Sequence, residues 1–144
     1  RRGMNLWPPF LGAGITVEKI STDFRHARVS LKHGFLNRNI LGVHFGGSLF
    51  AMTDPFFMMM VSQNLGKSYI VWDQAAKIEF LKPGKGKVHA VFEVHKEQID
   101  AIIHSAEGGD KVLKDFAVDV KDKDEDVVAH ITKTLYIRKK PRKS

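Results

Sequence analysis

Asn39–Met60 reads NILGVHFGGSLFAMTDPFFMMM. Three glycines, a histidine and an asparagine lead into a nearly continuous apolar run that contains one acid, Asp54. From Gly46 to Leu65 the segment has helical length, and Gly66 supplies a C-cap. A helix apolar on all sides is buried on all sides. A sheet covers one face only, so the second face needs a partner subunit or an apolar ligand. Asp54 has two readings. Thr53-Asp54-Pro55 fits an N-cap followed by proline at the first helical position. Alternatively, Asp54 is a partly buried carboxylate that acts on a ligand, because burial raises a carboxylate's pKa toward the range of a useful base. Gly46-Gly47 lets a chain or ligand approach the backbone closely. The first amides of a helix lack intrahelical acceptors and suit a developing oxyanion. The plainer role of the glycines is tight helix–sheet packing.

On either side of this run the hydrophobic period changes to two, the mark of strands. Strands are expected at about 14–20 and 24–32, then 69–81, a strand from Val88 to Val94, 113–121 and 127–138. LWPPFLGAG near the start predicts a short helix or packed arm, and 96–107 a short amphipathic helix or elaborated loop. PGKG (83–86) is a turn. The whole predicts a single α+β domain over 1–144, one long central helix wrapped by about six strands, with an antiparallel meander after the helix.

Composition narrows the chemistry. The 144 residues suit one core, and the absence of cysteine excludes disulfides, thiolate nucleophiles and cysteine metal sites. The formal net charge is +7, but seven of the 23 basic residues (Arg1, Arg2, Arg138, Lys139, Lys140, Arg142 and Lys143) lie at the two ends. The remainder is neutral, so we read 138–144 as a solvated, disordered tail and expect no nucleic-acid partner. The seven histidines have no ligand spacing, and no metal is expected. No run is long enough for a membrane span. RRGMNLWPPF lacks the apolar stretch of a secretory signal, so the expected location is cytoplasmic.

Asn39-x-x-Gly42, Gly46-Gly47 and Asp54 at their spacing resemble the N-x-x-G-x-x-H-G-G-x(6)-D signature of hotdog-fold thioesterases of the phenylacetate-degradation (PaaI-like) type. NxNxxGxHFGGSLFAMTDPF, followed by YIVWDxAAxIxFLxPG, is similar to an uncharacterised family of thioesterase-like hotdog proteins. The likeness runs from Met4 to Arg138. It implies a hotdog fold and hydrolysis of an acyl thioester, with coenzyme A as part of the substrate and no other cofactor. It also implies a homodimer or homotetramer whose pocket takes Asp54 and Gly46 from different subunits. Asp54 is then general base or nucleophile, the Gly46 amide the oxyanion donor and Asn39 a positioning group.

Around these, Gly47, His44, Phe45, Asp73, Phe57, Met58, Lys82 and Lys85 are candidate substrate contacts. The signature's histidine position holds Phe45 here, with His44 one place earlier. Asp73 lies where some relatives place a serine or threonine near the attacking water. A coupled Asp54–Asp73 pair would have one apparent pKa raised. Its plain alternative is a surface acid paired with a lysine. Phe57 and Met58 fit an apolar acyl group or an ordinary core. Lys82 and Lys85 would meet phosphates, or lie in a solvated turn. A non-catalytic acyl-CoA or lipid binder on the same fold is the alternative function.

Overall fold

The alternating stretches form strands because their inward residues share one face of a single sheet. The structure, a computed structural model, describes residues 1–143. Two short helices, α1 (Arg2–Asn5) and α2 (Pro8–Ala13), precede β1 (Ile15–Ile20) and β2 (His26–Leu31). Then come α3 (Gly46–Ala51), α4 (Phe56–Leu65), β3 (Tyr69–Phe80), β4 (Val88–Glu93), α5 (Lys96–Ala106), β5 (Val112–Lys121) and β6 (Val127–Lys139). The six strands form one sheet in the order β1-β2-β4-β5-β6-β3. Every pairing is antiparallel. No helix among the described residues is long and apolar enough to cross a membrane.

Four expectations need correction. The central helix is not continuous: α3 ends at Ala51 and α4 begins at Phe56, with Pro55 between them. Proline has no N–H for the helical ladder. Thr53 adds to the break by donating its hydroxyl back to the Phe50 carbonyl at 2.7 Å. Nor does Asp54 cap α4; the residue flanking its start is Pro55, without a side-chain cap bond. The meander is also incomplete, because β3 pairs with β6 rather than β4. Both edges of β4 are taken, by β2 and β5, so β3 adds to the free edge of β6. Finally, the start of the supposed tail is sheet. Arg138 and Lys139 belong to β6, and the Lys140 amide donates to Ser68 O at 2.8 Å. Ser144 lies outside the described residues.

α4 packs its buried residues into the core on the sheet's inward face. Phe56 packs on Phe10 and Phe92, and Phe57 lies between Phe92 and Phe116 with ring centroids 5.2 and 5.1 Å away. Burying each such ring contributes about 1.5–3 kcal/mol. β3 is an edge strand of twelve residues, and no residue along it is fully buried. A long, apolar, uncovered edge is a template for pairing with another chain.

At the opposite edge Glu18 sits where the β1–β2 register shifts. Its carboxylate accepts from Lys87 Nζ at 2.8 Å and Arg28 Nε at 2.9 Å. The Lys87 bond, with Ser30 and Arg28 assisting, pushes the Glu18 carboxyl down to about 2. A depressed carboxyl contributes stability above its unfolded pKa of about 4.5, and loses it as pH falls through the folded value. Glu18→Gln should therefore lower the unfolding midpoint at neutral pH. The gap to wild type should close between about pH 4.5 and 2 in chemical-denaturation curves.

Candidate active site

Two groups of polar residues flank α3, one at each end. At its C-terminal end the break before Pro55 turns Asp54 toward the sheet. Lys133 Nζ donates to Asp54 Oδ1 at 2.9 Å. The lysine side chain is only 4% exposed, whereas that of Asp54 is 48% exposed. Lys133 occupies an inward position of β6, in line with buried Ile131, Leu135 and Ile137. Asp73 reaches the same ammonium from β3, Oδ2 lying 3.6 Å from Nζ. The β3–β6 register shifts between Asp73 and Ala75. Such a bulge re-aims a side chain. Burial pushes the Asp73 carboxyl up; Lys133 opposes that, and Asp54 adds to it. Asp73 Oδ1 is buried without a hydrogen-bond partner. The Phe50 ring packs over Lys133 Nζ, 5.4 Å from its centroid. Asp73 is thus neither a free carboxylate nor a surface acid paired with an exposed lysine.

At the N-terminal end Asn39, Val43, His44, Gly46, Leu49, Phe80 and the 81–84 segment line an open cleft of about 430 Å³. Asn39 builds the loop that enters it. Its Oδ1 accepts from the Leu41 and Val43 amides at 2.9 and 3.3 Å. His44 is buried, its ring tilted at 42° against that of His33 with centroids 4.6 Å apart. Gly86 binds both rings: its carbonyl accepts from His44 Nε2 at 2.6 Å and its amide donates to His33 Nδ1 at 2.9 Å. The carbonyl can only accept, so Nε2 carries the His44 proton. Burial pushes the His44 imidazole below its usual pKa, against the upward pull of the Gly86 bond. His44 therefore fastens the PGKG segment to the floor of the cleft.

No acceptor among the described residues takes the Gly46 or Gly47 amide. Aromatic rings lie against both glycines. An added Cβ would fall 2.9 Å from Phe80 Cζ at Gly46, and 2.5 Å from Phe45 Cε1 at Gly47. Phe45 and Phe80 are 57% and 58% exposed and have room to swing.

The remaining candidates divide. Phe57 is a core residue, 2% exposed, and does not face the cleft, because α4 turns it toward Phe92 and Phe116. Met58 is partly buried against the same core. Lys82 lines the cleft, but its ammonium is shared by Asp122 and Asp126 at 3.0 and 2.9 Å. Lys85 is exposed on the PGKG turn. Sequence reasoning missed Lys133, His33 and Phe80. Lys133 had a visible signal: a lysine in the inward phase of Ile131-x-Lys133-x-Leu135.

Gly84 gives a test of the cleft floor. A Cβ there would lie 3.0 Å from Val128 Cγ1 and 3.1 Å from His44 Cδ2, both on packed side chains. Gly84→Ala should cost about 1–3 kcal/mol of stability. Gly47→Ala should cost less, because the exposed Phe45 ring can rotate away. Thermal melts of the two variants check the order.

The comparisons with known proteins agree with this architecture. The family model described as "Domain of unknown function (DUF4442)" matches residues 1–137. No curated protein matches the chain. Among solved structures, PA5026 of Pseudomonas aeruginosa, a protein of unknown function, is 19% identical with a TM-score of 0.77, over 88% of this chain and 84% of that one. The thioesterase HI1161 of Haemophilus influenzae is 13% identical with a TM-score of 0.69, over 95% and 87%. The PaaI protein of the E. coli phenylacetic acid degradation operon is 13% identical with a TM-score of 0.63, over 97% and 89%. These likenesses show a hotdog fold, and the match over almost the whole sequence places the chain in the DUF4442 family.

Proposed function

We propose that this protein hydrolyses acyl thioesters, with acyl-CoA as substrate and Asp54 as the general base or nucleophile. The observation that carries the reading is the state of Asp54. One carboxylate oxygen is tied to a buried ammonium while the side chain stays half exposed. That group is oriented and reachable. As general base it takes a proton from water; the resulting hydroxide attacks the thioester carbonyl. The Gly46 amide lies at a helix start without an acceptor of its own, which supports a role as the oxyanion donor. Collapse breaks the C–S bond and releases a carboxylic acid and a thiol, with the proton returning to the thiolate. As nucleophile Asp54 would form an anhydride that water then opens.

One subunit does not supply both groups to one carbonyl. Gly46 and Asp54 are eight positions apart, on the order of 12 Å at the helical rise. The pocket we propose joins Asp54 of one copy to Gly46 of another. The uncovered β3 edge supports this assembly, as do the exposed apolar residues of the 35–45 loop: Phe35 80%, Leu36 87%, Ile40 102% and Leu41 77%. Lys85 and Lys82 at the mouth would meet the phosphates of the coenzyme, and Phe45 and Met58 the acyl chain. Asn39 positions the loop that carries His44 and the glycine pair. We place the enzyme in the cytoplasm, where such substrates occur.

A non-catalytic acyl-CoA or lipid binder is the second reading. Phe80 and Phe45 favour it, because their rings lie against the glycines whose amides the reaction needs. A thiol-release assay across acyl chain lengths separates the two. For the enzyme, Asp54→Ala should lower kcat by about 10²–10⁴-fold, and sedimentation should give a dimer or tetramer. Unchanged turnover in Asp54→Ala rejects the mechanism; ligand binding without thiol release in wild type selects the binder.

A further inference from the structure

We infer that Lys133 is a positioning residue for Asp54, and that it divides one positive charge between two carboxylates so that Asp54 is the ionised member and Asp73 the protonated one. The catalytic part of this inference rests on the thioesterase reading; the charge arrangement does not.

The argument starts from charge count and burial. Lys133 Nζ is enclosed by the sheet, Phe50 and the two acids, and a buried ammonium requires a counter-charge. One carboxylate satisfies it. Two ionised carboxylates would leave a net negative charge in a poorly solvated place. Geometry decides which acid ionises. Asp54 Oδ1 makes the close bond at 2.9 Å, and its side chain is 48% exposed, so water helps to solvate the charge. Asp73 lies farther from the ammonium, at 3.6 Å, with its side chain 25% exposed and Oδ1 buried without a donor. An ionised oxygen in that position would have nothing to donate to it. A neutral acid there can use its O–H toward Asp54, and that hydrogen bond favours the protonated form of Asp73. The chain of contacts runs from ammonium to carboxylate to carboxylic acid.

Other charges do not disturb this count. α4 carries no ionisable side chain. Lys77 and Asp115 are registered with Thr132 and Thr134, which point to the other face of β6. Asp100 and His104 are exposed on α5. Lys114 faces the same side of the sheet as Asp73, across Leu135, and neither acid is among its ion-pair partners.

The functional consequence is specific. With Oδ1 bound by Lys133, Oδ2 is the freer oxygen of Asp54, and the direction of the carboxylate is set by β6 rather than by a flexible turn. Without the lysine, the two acids would share a proton and Asp54 would be a carboxylate for a smaller part of the time.

The test follows Asp73 by carboxyl-carbon NMR titration in wild type, Lys133→Met, Lys133→Arg and Asp54→Asn, with thiol release measured in parallel. Removing the cation should move the Asp73 midpoint up by about one pH unit or more, and removing the neighbouring acid while keeping the cation should move it down. Lys133→Arg should stay near wild type. In the activity assay, Lys133→Met should lose at least about tenfold in kcat/KM and shift the acid limb of the pH profile upward, with partial rescue by arginine. Opposite movement of Asp73 in the two variants is not expected from a general loss of packing. If Lys133→Met does not fold, the downward movement in Asp54→Asn decides alone. An Asp73 midpoint that stays put in Asp54→Asn, or moves the same way in both variants, overturns the inference. Opposite shifts in a wild-type protein that releases no thiol would instead uphold the charge arrangement and reject the hydrolase.

Discussion

An ammonium enclosed by a β-sheet has to be neutralised where it stands, since the lysine stem cannot carry it out to water. Lys133 is that group, and much of the unusual local structure can be understood from it. Two departures from regular geometry bring acids to it. The helical run stops before Pro55, which frees Asp54 from the helix axis. The pairing of β3 with β6 shifts just after Asp73, which alters that side chain's direction. A straight helix or an unbroken ladder would have aimed these carboxylates differently. The cluster is also asymmetric. One acid is close and half exposed, the other more distant and more enclosed. Identical side chains thereby meet different surroundings, and burial pushes the Asp73 carboxyl up.

At the far end of α3 the organising interactions are neutral. Gly86 bonds to His33 and His44 through its amide and its carbonyl, and Gly84 has no room for a side chain. The segment after β3 is thereby fastened over the helix start, and the cleft has a packed floor with exposed aromatic walls. His44 illustrates how a polar residue near a reactive motif can serve structure. Its ring belongs to the floor, and the position nearer the glycine pair is covered by Phe45. The amides of Gly46 and Gly47 are left without acceptors, yet partly shielded. This is the feature on which the enzyme and binder readings diverge.

The fold was legible because each signal was local. Alternation marked β1, β2, β4, β5 and β6 within a few residues of their ends, and the glycine pair with the long apolar run marked the helical segment. Pro55 was also in view, but a capped second segment and a continuous helix both remained open. Asp54 is partly buried, as one of its two readings had it, but its buried partner Lys133 was not foreseen. Phe57 was misplaced because an apolar run does not say which rings face a sheet and which face a ligand. Lys133 stood in the inward phase of β6, but a single lysine in an alternating strand becomes meaningful only when acids from elsewhere in the chain are found beside it.

The sequence by itself determined the hotdog architecture, the neutral body with basic ends, and the candidate acid and glycine pair. These depend on residue periods and on a motif within one stretch of chain. Tertiary structure alone decided that β3 joins β6, that Asp54 and Asp73 meet across one ammonium, and that His44 binds Gly86 instead of facing an open site. Each of those is a contact between distant residues, 79 positions apart for Asp54 and Lys133. Such contacts depend on which strand edge is free and which side chain the pleat turns inward, and local periodicity does not encode either.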